Sequence, residues 1–217
     1  MLYEPDEREI ISSLFPNKTD LILFDVGAHD FGTGLQFKHW FPTAKVFAFE
    51  PDRENTKQYI DNARRFGIEA FPYAIGDKND IVTFYPSLSI EGRRHKQAGS
   101  VNKPILKDGT DDEQIEFDRC VFDMNGYNVI LKRLDTFCNE NGVAHIDYLH
   151  MDVQSYEKNV INGLGDINTM FVLAETANFH QYNSEVKNEN DFHEFMFLKK
   201  YEILQKFKYD TLYKKHE

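Results

Sequence analysis

The sequence predicts an α/β fold: a central, mostly parallel sheet with helices on both faces and an antiparallel strand pair at the C-terminal end. Three observations carry this. Short apolar runs, each closed by an acidic residue, alternate with segments of helical periodicity, as buried parallel strands and their covering helices do. The N-terminal part reads β-α-β-α-β, which implies right-handed crossovers between parallel strands. The last two apolar runs, Tyr201 to Phe207 and Thr211 to Lys214, are separated by a short turn and so can close the sheet as an antiparallel pair.

Taken in order, Asp6 to Phe15 places Ile10, Ile11 and Leu14 on one helical face before Pro16. Leu21 to Val26 is a buried strand that carries Asp25 near its end, followed by Gly27. Thr33 to Phe41 is helical and Pro42 closes it. Lys45 to Glu50 is a second strand with an acid at its end. Asp52 caps a helix that carries Tyr59, Ile60, Ala63 and Phe66 and stops at Gly67. Ile68 to Ile75 reads as a third strand, and Ile81 to Tyr85 as an extra one. Residues 87–126 are irregular and charged, and a long loop or lid is expected there. Asn128 to Leu134 is another strand candidate. Strand Ile146 to Met151 ends at Asp152, a helix runs from Ser155 to Leu164, strand Phe171 to Ala174 ends at Glu175, and Asp191 to Lys200 is helical.

The 217 residues suffice for one α/β domain, and neither a repeat nor a linker divides them, so a single domain is expected. With 19 Phe and 11 Tyr, ring packing should dominate the core. A formal net charge of -11 repels a polyanion over most of the surface and argues against nucleic acid as a partner. The 2 cysteines, Cys120 and Cys138, are too few for a disulfide framework and match no zinc spacing; reduced thiols in a cytoplasmic protein are expected. From its acidic N-terminus no signal peptide is expected, no apolar stretch is long enough to span a bilayer, and no His/Cys/Asp/Glu cluster has metal-ligand spacing.

The strongest chemical signal is Asp25-Val26-Gly27-Ala28-His29-Asp30-Phe31-Gly32: a strand end, a glycine turn and a glycine opening a helix. Such glycines let a ligand approach the backbone, at the end of a parallel sheet where cofactors sit. The spacing of Gly27, Gly32 and Gly34 is not the dinucleotide fingerprint, and no P-loop lysine follows, so a nucleoside without a pyrophosphate fits better. An ordinary strand–helix turn would read the same way. Glu50 favours the ligand: it ends the next strand, where a carboxylate can accept both hydrogens of a ribose diol, although a solvated surface carboxylate would read the same way.

Phe24-Asp25-Val26-Gly27-Ala28, Ala48-Phe49-Glu50-Pro51-Asp52 and Ala74-Ile75-Gly76-Asp77 resemble successive signatures of the FkbM-type methyltransferases. Leu134-Asp135-Thr136-Phe137, Ile146 to Val153 and Val172-Leu173-Ala174-Glu175 continue the resemblance in order, from about Leu21 to Glu175. It implies a Rossmann-like class I methyltransferase fold. It also implies S-adenosylmethionine as methyl donor and, as acceptor, usually a hydroxyl on a sugar, such as a surface polysaccharide precursor, or on another small metabolite. By position, Asp25, Gly27 and Gly32 would line the methionine and ribose side, with Ala28, His29 and Pro51 in the same two loops. Glu50 would hold the ribose hydroxyls, Ala74, Ile75 and Asp77 would lie near the adenine, and Asp152 would sit by the methionine ammonium or the reacting centre. The chain departs from the family's Asp-Val-Glu-Gly-x-Glu at Asp152-Val153-Gln154-Ser155-Tyr156-Glu157, which bears on acceptor chemistry more than on cofactor binding.

A hydroxyl acceptor profits from a general base, and Asp152, Glu157, Glu175 and His180 are the candidates near strand ends. Arg93, Arg94, His95, Lys96 and Lys103 could gather around an anionic acceptor, although a solvated charged loop explains them as well. Two other classes share the fold signals: an NAD(P)-dependent oxidoreductase, which the glycine spacing disfavours, and a binding protein that keeps the fold without turnover. Neither acceptor nor oligomeric state is readable from the residues.

Overall fold

A computed structural model of the chain describes residues 7–88, 97–105, 121–177 and 182–216. Its main sheet has seven strands in the order β11-β12-β10-β9-β1-β2-β3. β1 (Ile22–Val26) lies between β2 (Lys45–Phe49) and β9 (His145–Met151), all parallel; β3 (Glu69–Phe71) and β10 (Asn168–Glu175) extend the parallel part on either side. β12 (Asp210–Lys215) and β11 (Tyr201–Lys206) close it antiparallel, as expected.

Two cores sandwich this sheet because alternate residues of its buried strands face opposite ways. On one face Phe24, Phe47, Phe49 and Phe137 pack as a ring cluster, Phe49 and Phe137 edge-on at 4.7 Å. On the other, Leu23, Val46 and Tyr148 meet α1 (Glu7–Leu14), α2 (Gly32–Trp40) and α3 (Arg53–Arg65). Asp52 caps α3 by accepting from Glu54 N and Asn55 N. The expected dominance of aromatic packing holds in both layers.

Four expectations need correction. Ile68 to Ile75 is not one strand: after β3 the chain leaves the main sheet, and β4 (Ala74–Gly76) joins a second sheet of order β4-β8-β5, with β5 at Asp80–Phe84 and β8 at Tyr127–Arg133. Pro72 stands at the break and has no N–H to give a ladder. Leu134 does not end a strand but opens α4 (Leu134–Glu140), whose Leu134, Phe137 and Cys138 are buried at helical spacing. The helix expected from Ser155 is α5 (Glu157–Gly163), because Gln154 and Ser155 take left-handed φ values of 53° and 71°. The expected loop at 87–126 contains a short antiparallel pair, β6 (Ser87–Leu88) with β7 (Val121–Phe122), and a strap at 97–105 pinned by bridges Tyr85–Ser100 and Pro104–Tyr182. Arg93, Arg94, His95, Lys96 and Cys120 lie outside the described residues. The expected helix near Asp191 is α6 (Glu189–Leu198). No helix among the described residues is long and apolar enough to cross a membrane.

Candidate functional site

A pocket opens at the C-terminal ends of β1, β2 and β9 and beside the start of β4. Its wall begins at Gly27, whose φ is +87°. Gly27 N and Ala28 N both donate to Phe49 O, at 3.0 and 2.9 Å, while Asp152 N donates to Val26 O at 3.0 Å. These bonds draw the β1 and β9 ends so close that a Cβ on Gly27 would stand 1.8 Å from Asp152 O. The glycine is thus demanded first by the protein's own backbone.

Glu50 lies across the pocket and is only 5% exposed. Its Oε2 accepts from His29 N and its Oε1 from Asp52 N, both at 2.7 Å, and Asn55 adds a side-chain bond. Burial pushes its carboxyl up to about 8 against these donors. The backbone bonds fix the carboxylate's plane, so that its two oxygens stand side by side as a vicinal diol requires. Phe49, Tyr73, Ala74 and Ile75 form the apolar side of the pocket, with Phe84, Val101 and Tyr156 facing it. Pro51 and His29 also line it.

The remaining residues assigned by position lie elsewhere. Asp25 is fully buried below the pocket, its Oδ2 accepting from Gly34 N (3.0 Å) and its Oδ1 facing His150 Nδ1 (3.0 Å). Ala28 packs into the core beneath α2. Gly32 opens α2 and its N–H is taken by Asp30 Oδ1. Asp77 sits beyond β4, where its carboxylate meets Asn159 Nδ2 at 3.4 Å and its carbonyl meets Arg133.

The acids on the β9 and β10 side are joined by the residue that departs from the family pattern. Asp152 lines the pocket. The Gln154 amide nitrogen donates to Asp152 Oδ1 at 2.6 Å and to Glu175 Oε2 at 2.7 Å. The Tyr182 hydroxyl, 3.1 Å from Gln154 Oε1, shares its proton between that oxygen and Ala98 O at 2.6 Å. A carboxylate at position 154 would confront both acids; the amide bonds both. The strap closes over this corner: Ser100 Oγ donates to Gln154 O (2.8 Å) and Asn102 Nδ2 to Ser155 O (2.6 Å). Gln97, Gly99, Ser100 and Val101 of the strap line the pocket. All four fall within the loop or lid expected at 87–126, whereas Tyr73 and Tyr156 carried no signal beyond their apolar character. The Lys103 carbonyl accepts from Asn183 N. His180 lies outside the described residues. No group of three or more His, Cys, Asp or Glu among the described residues could hold a metal.

Glu157 does not line the pocket. It is 1% exposed at the start of α5, with Oε1 accepting from Val153 N (3.2 Å) and Oε2 unpartnered among the described residues. Burial pushes its carboxyl up to about 8. A value raised on folding means that the carboxyl's stabilisation is full below the ordinary 4.5 and is lost as pH rises through about 8. Glu157→Gln is therefore expected to gain on the unaltered protein by roughly 1–3 kcal/mol between about pH 5 and pH 8, then level off. Chemical denaturation at each pH measures this; a gap independent of pH refutes it.

Fold and site define a class: a Rossmann-like methyltransferase with S-adenosylmethionine as its methyl donor. The Methyltransferase FkbM domain matches residues 25–209, and the chain belongs to that family. Relatives include the 2-O-methyltransferase NoeI of Sinorhizobium fredii, 29% identical over 184 residues, covering 82% of this chain and 72% of that protein. The AMB antimetabolite synthetase AmbE of Pseudomonas aeruginosa is 26% identical over 189 residues, covering 79% of this chain and 9% of that protein. The crystal structure of precorrin-6y C5,15-methyltransferase from Geobacter metallireducens superposes with a TM-score of 0.50 at 10% identity, covering 99% of this chain and 90% of that one, a likeness of fold alone. Family membership decides against the oxidoreductase reading.

Proposed function

We propose that this protein transfers the methyl group to a hydroxyl oxygen of a sugar, such as a surface polysaccharide precursor, or of another small metabolite. The observation that carries the reading is the pair Asp152 and Glu175, bridged by Gln154 at the β9–β10 side of the pocket. A hydroxyl is a weak nucleophile until a base takes its proton; Asp152, which lines the pocket, with Glu175 one amide bridge behind it, supports this reading. The printed activity of NoeI, 2-O-methylation, supports an oxygen acceptor.

The donor supplies an already activated methyl group, so the protein's work is alignment and proton removal. Glu50 would hold the ribose hydroxyls, Tyr73, Ala74 and Ile75 would pack the adenine, and Gly27 and His29 would border the ribose; all of them line the pocket. Glu157, turned toward backbone donors, shapes the corner that carries Gln154. The test is transfer of labelled methyl from S-adenosylmethionine to separated glycan and small-metabolite fractions, with the product's linkage determined by mass spectrometry. Label in an ether is the expected result. Label confined to nitrogen, sulfur or carbon overturns it, and tight binding of S-adenosylhomocysteine without transfer to any fraction favours the binding-protein reading.

A further inference from the structure

On the sheet face covered by α1 and α2, Asp25 and His150 stand opposite each other in the β1–β9 register. His150 Nδ1 lies 3.0 Å from Asp25 Oδ1; the Asp25 side chain is buried and that of His150 is 18% exposed. No described residue bonds its Nε2. Glu7, reaching over from α1, accepts from the Tyr148 hydroxyl at 3.1 Å beside it. Burial works against a charge on this imidazole, but Glu7, Asp25 and Asp152 outweigh it and push its pKa up to about 10. Glu7 is itself pushed above its ordinary value by burial. His150 is therefore an imidazolium at neutral pH with one N–H to give.

The cofactor reading above, on which this inference rests, supplies a group that needs it. Glu50 follows β2, and β9 is two strand spacings away, about 10 Å. That is roughly the distance from the ribose to the amino-acid end of S-adenosylmethionine. This end carries an ammonium, which Asp152 or Glu175 can meet, and a carboxylate, which needs a donor. Three of the nearby donors are engaged: Gly34 N by Asp25, Gly32 N by Asp30, and the Gln154 amide by two carboxylates. His29 turns its ring toward Tyr59 on α3. His150 lies two residues before Asp152, which lines the pocket, and Asp25 two before Gly27, which lines it too. We propose that the His150 imidazolium receives the methionine carboxylate of the cofactor, with Asp25 as the positioning residue that aims it.

Calorimetry on the full chain tests this with S-adenosylhomocysteine and with 5′-methylthioadenosine, which lacks the amino-acid arm. His150→Gln is expected to weaken S-adenosylhomocysteine by about 10- to 100-fold and leave methylthioadenosine unchanged, whereas His150→Lys keeps most of the affinity. In the unaltered protein, decarboxylated S-adenosylmethionine should bind about 10-fold or more weakly than S-adenosylmethionine, a comparison that needs no variant to fold. Equal losses for both adenosine ligands, a loss for neither, or no penalty for the missing carboxylate overturns the assignment. If the unaltered protein binds methylthioadenosine and S-adenosylhomocysteine equally, the arm has no anchor and this inference alone fails; if it binds neither, the cofactor reading itself fails.

Discussion

Glu50→Ala is expected to weaken S-adenosylhomocysteine by about 100-fold, or about 3 kcal/mol, with little change in fold. The carboxylate stands 5% exposed at the end of β2, held by His29 N and Asp52 N at 2.7 Å each. Those bonds set its direction before any ligand arrives, so a ribose diol meets a ready-made pair of acceptors. Alanine removes both acceptors and leaves two backbone N–H groups facing the adenosine. Because the loss is on the adenosine side, methylthioadenosine should weaken in parallel, which separates this substitution from those at His150. The carboxyl, pushed up to about 8 in the ligand-free protein, must ionise to accept two hydroxyls. Below that pH, binding should release a proton, visible as a dependence of the binding heat on buffer ionisation. Unchanged affinity for both adenosine ligands would remove Glu50 from the site.

Gly27→Ala should be more severe still, at more than about 4 kcal/mol of stability. The new methyl would fall 1.8 Å from Asp152 O, at a φ of +87° that an L side chain resists. The clash is with backbone, so no rotamer relieves it; β1 and β9 must part, and the bond from Asp152 N to Val26 O goes with them. Urea denaturation and S-adenosylhomocysteine binding should both report the loss. A variant within about 1 kcal/mol of the unaltered protein would show that the two strand ends separate cheaply.

The main sheet was legible because its strands are continuous apolar runs with acids at their ends: Leu23-Phe24, Val46 to Phe49 and Phe171 to Ala174 are buried on both faces. Where a run changes sheets, composition is silent. Pro72 divides Ile68 to Ile75 without altering its apolar character, and Leu134 passes from strand to helix because tertiary packing outweighs local preference. Glu50 could be placed at the pocket from a strand end, and Pro51, Ala74 and Ile75 from the family resemblance. Asp25 could not, since a strand-end acid reads alike whether it faces a ligand or a neighbouring histidine. Gln154 was visible as a departure, but its bridging geometry depends on two consecutive left-handed residues, neither a glycine. His150 stood in plain view within β9, yet its partner lies 125 positions earlier in the chain.

The corner at Gln154 and Ser155 also has a mechanical meaning. Its side chain spans two acids while its two carbonyls anchor Ser100 and Asn102. Ceiling and wall are therefore tied together by hydrogen bonds. On the proposed reading, a movement that uncovered the nucleoside would also pull on the tether between the acids, and filling one half of the cleft would arm the other.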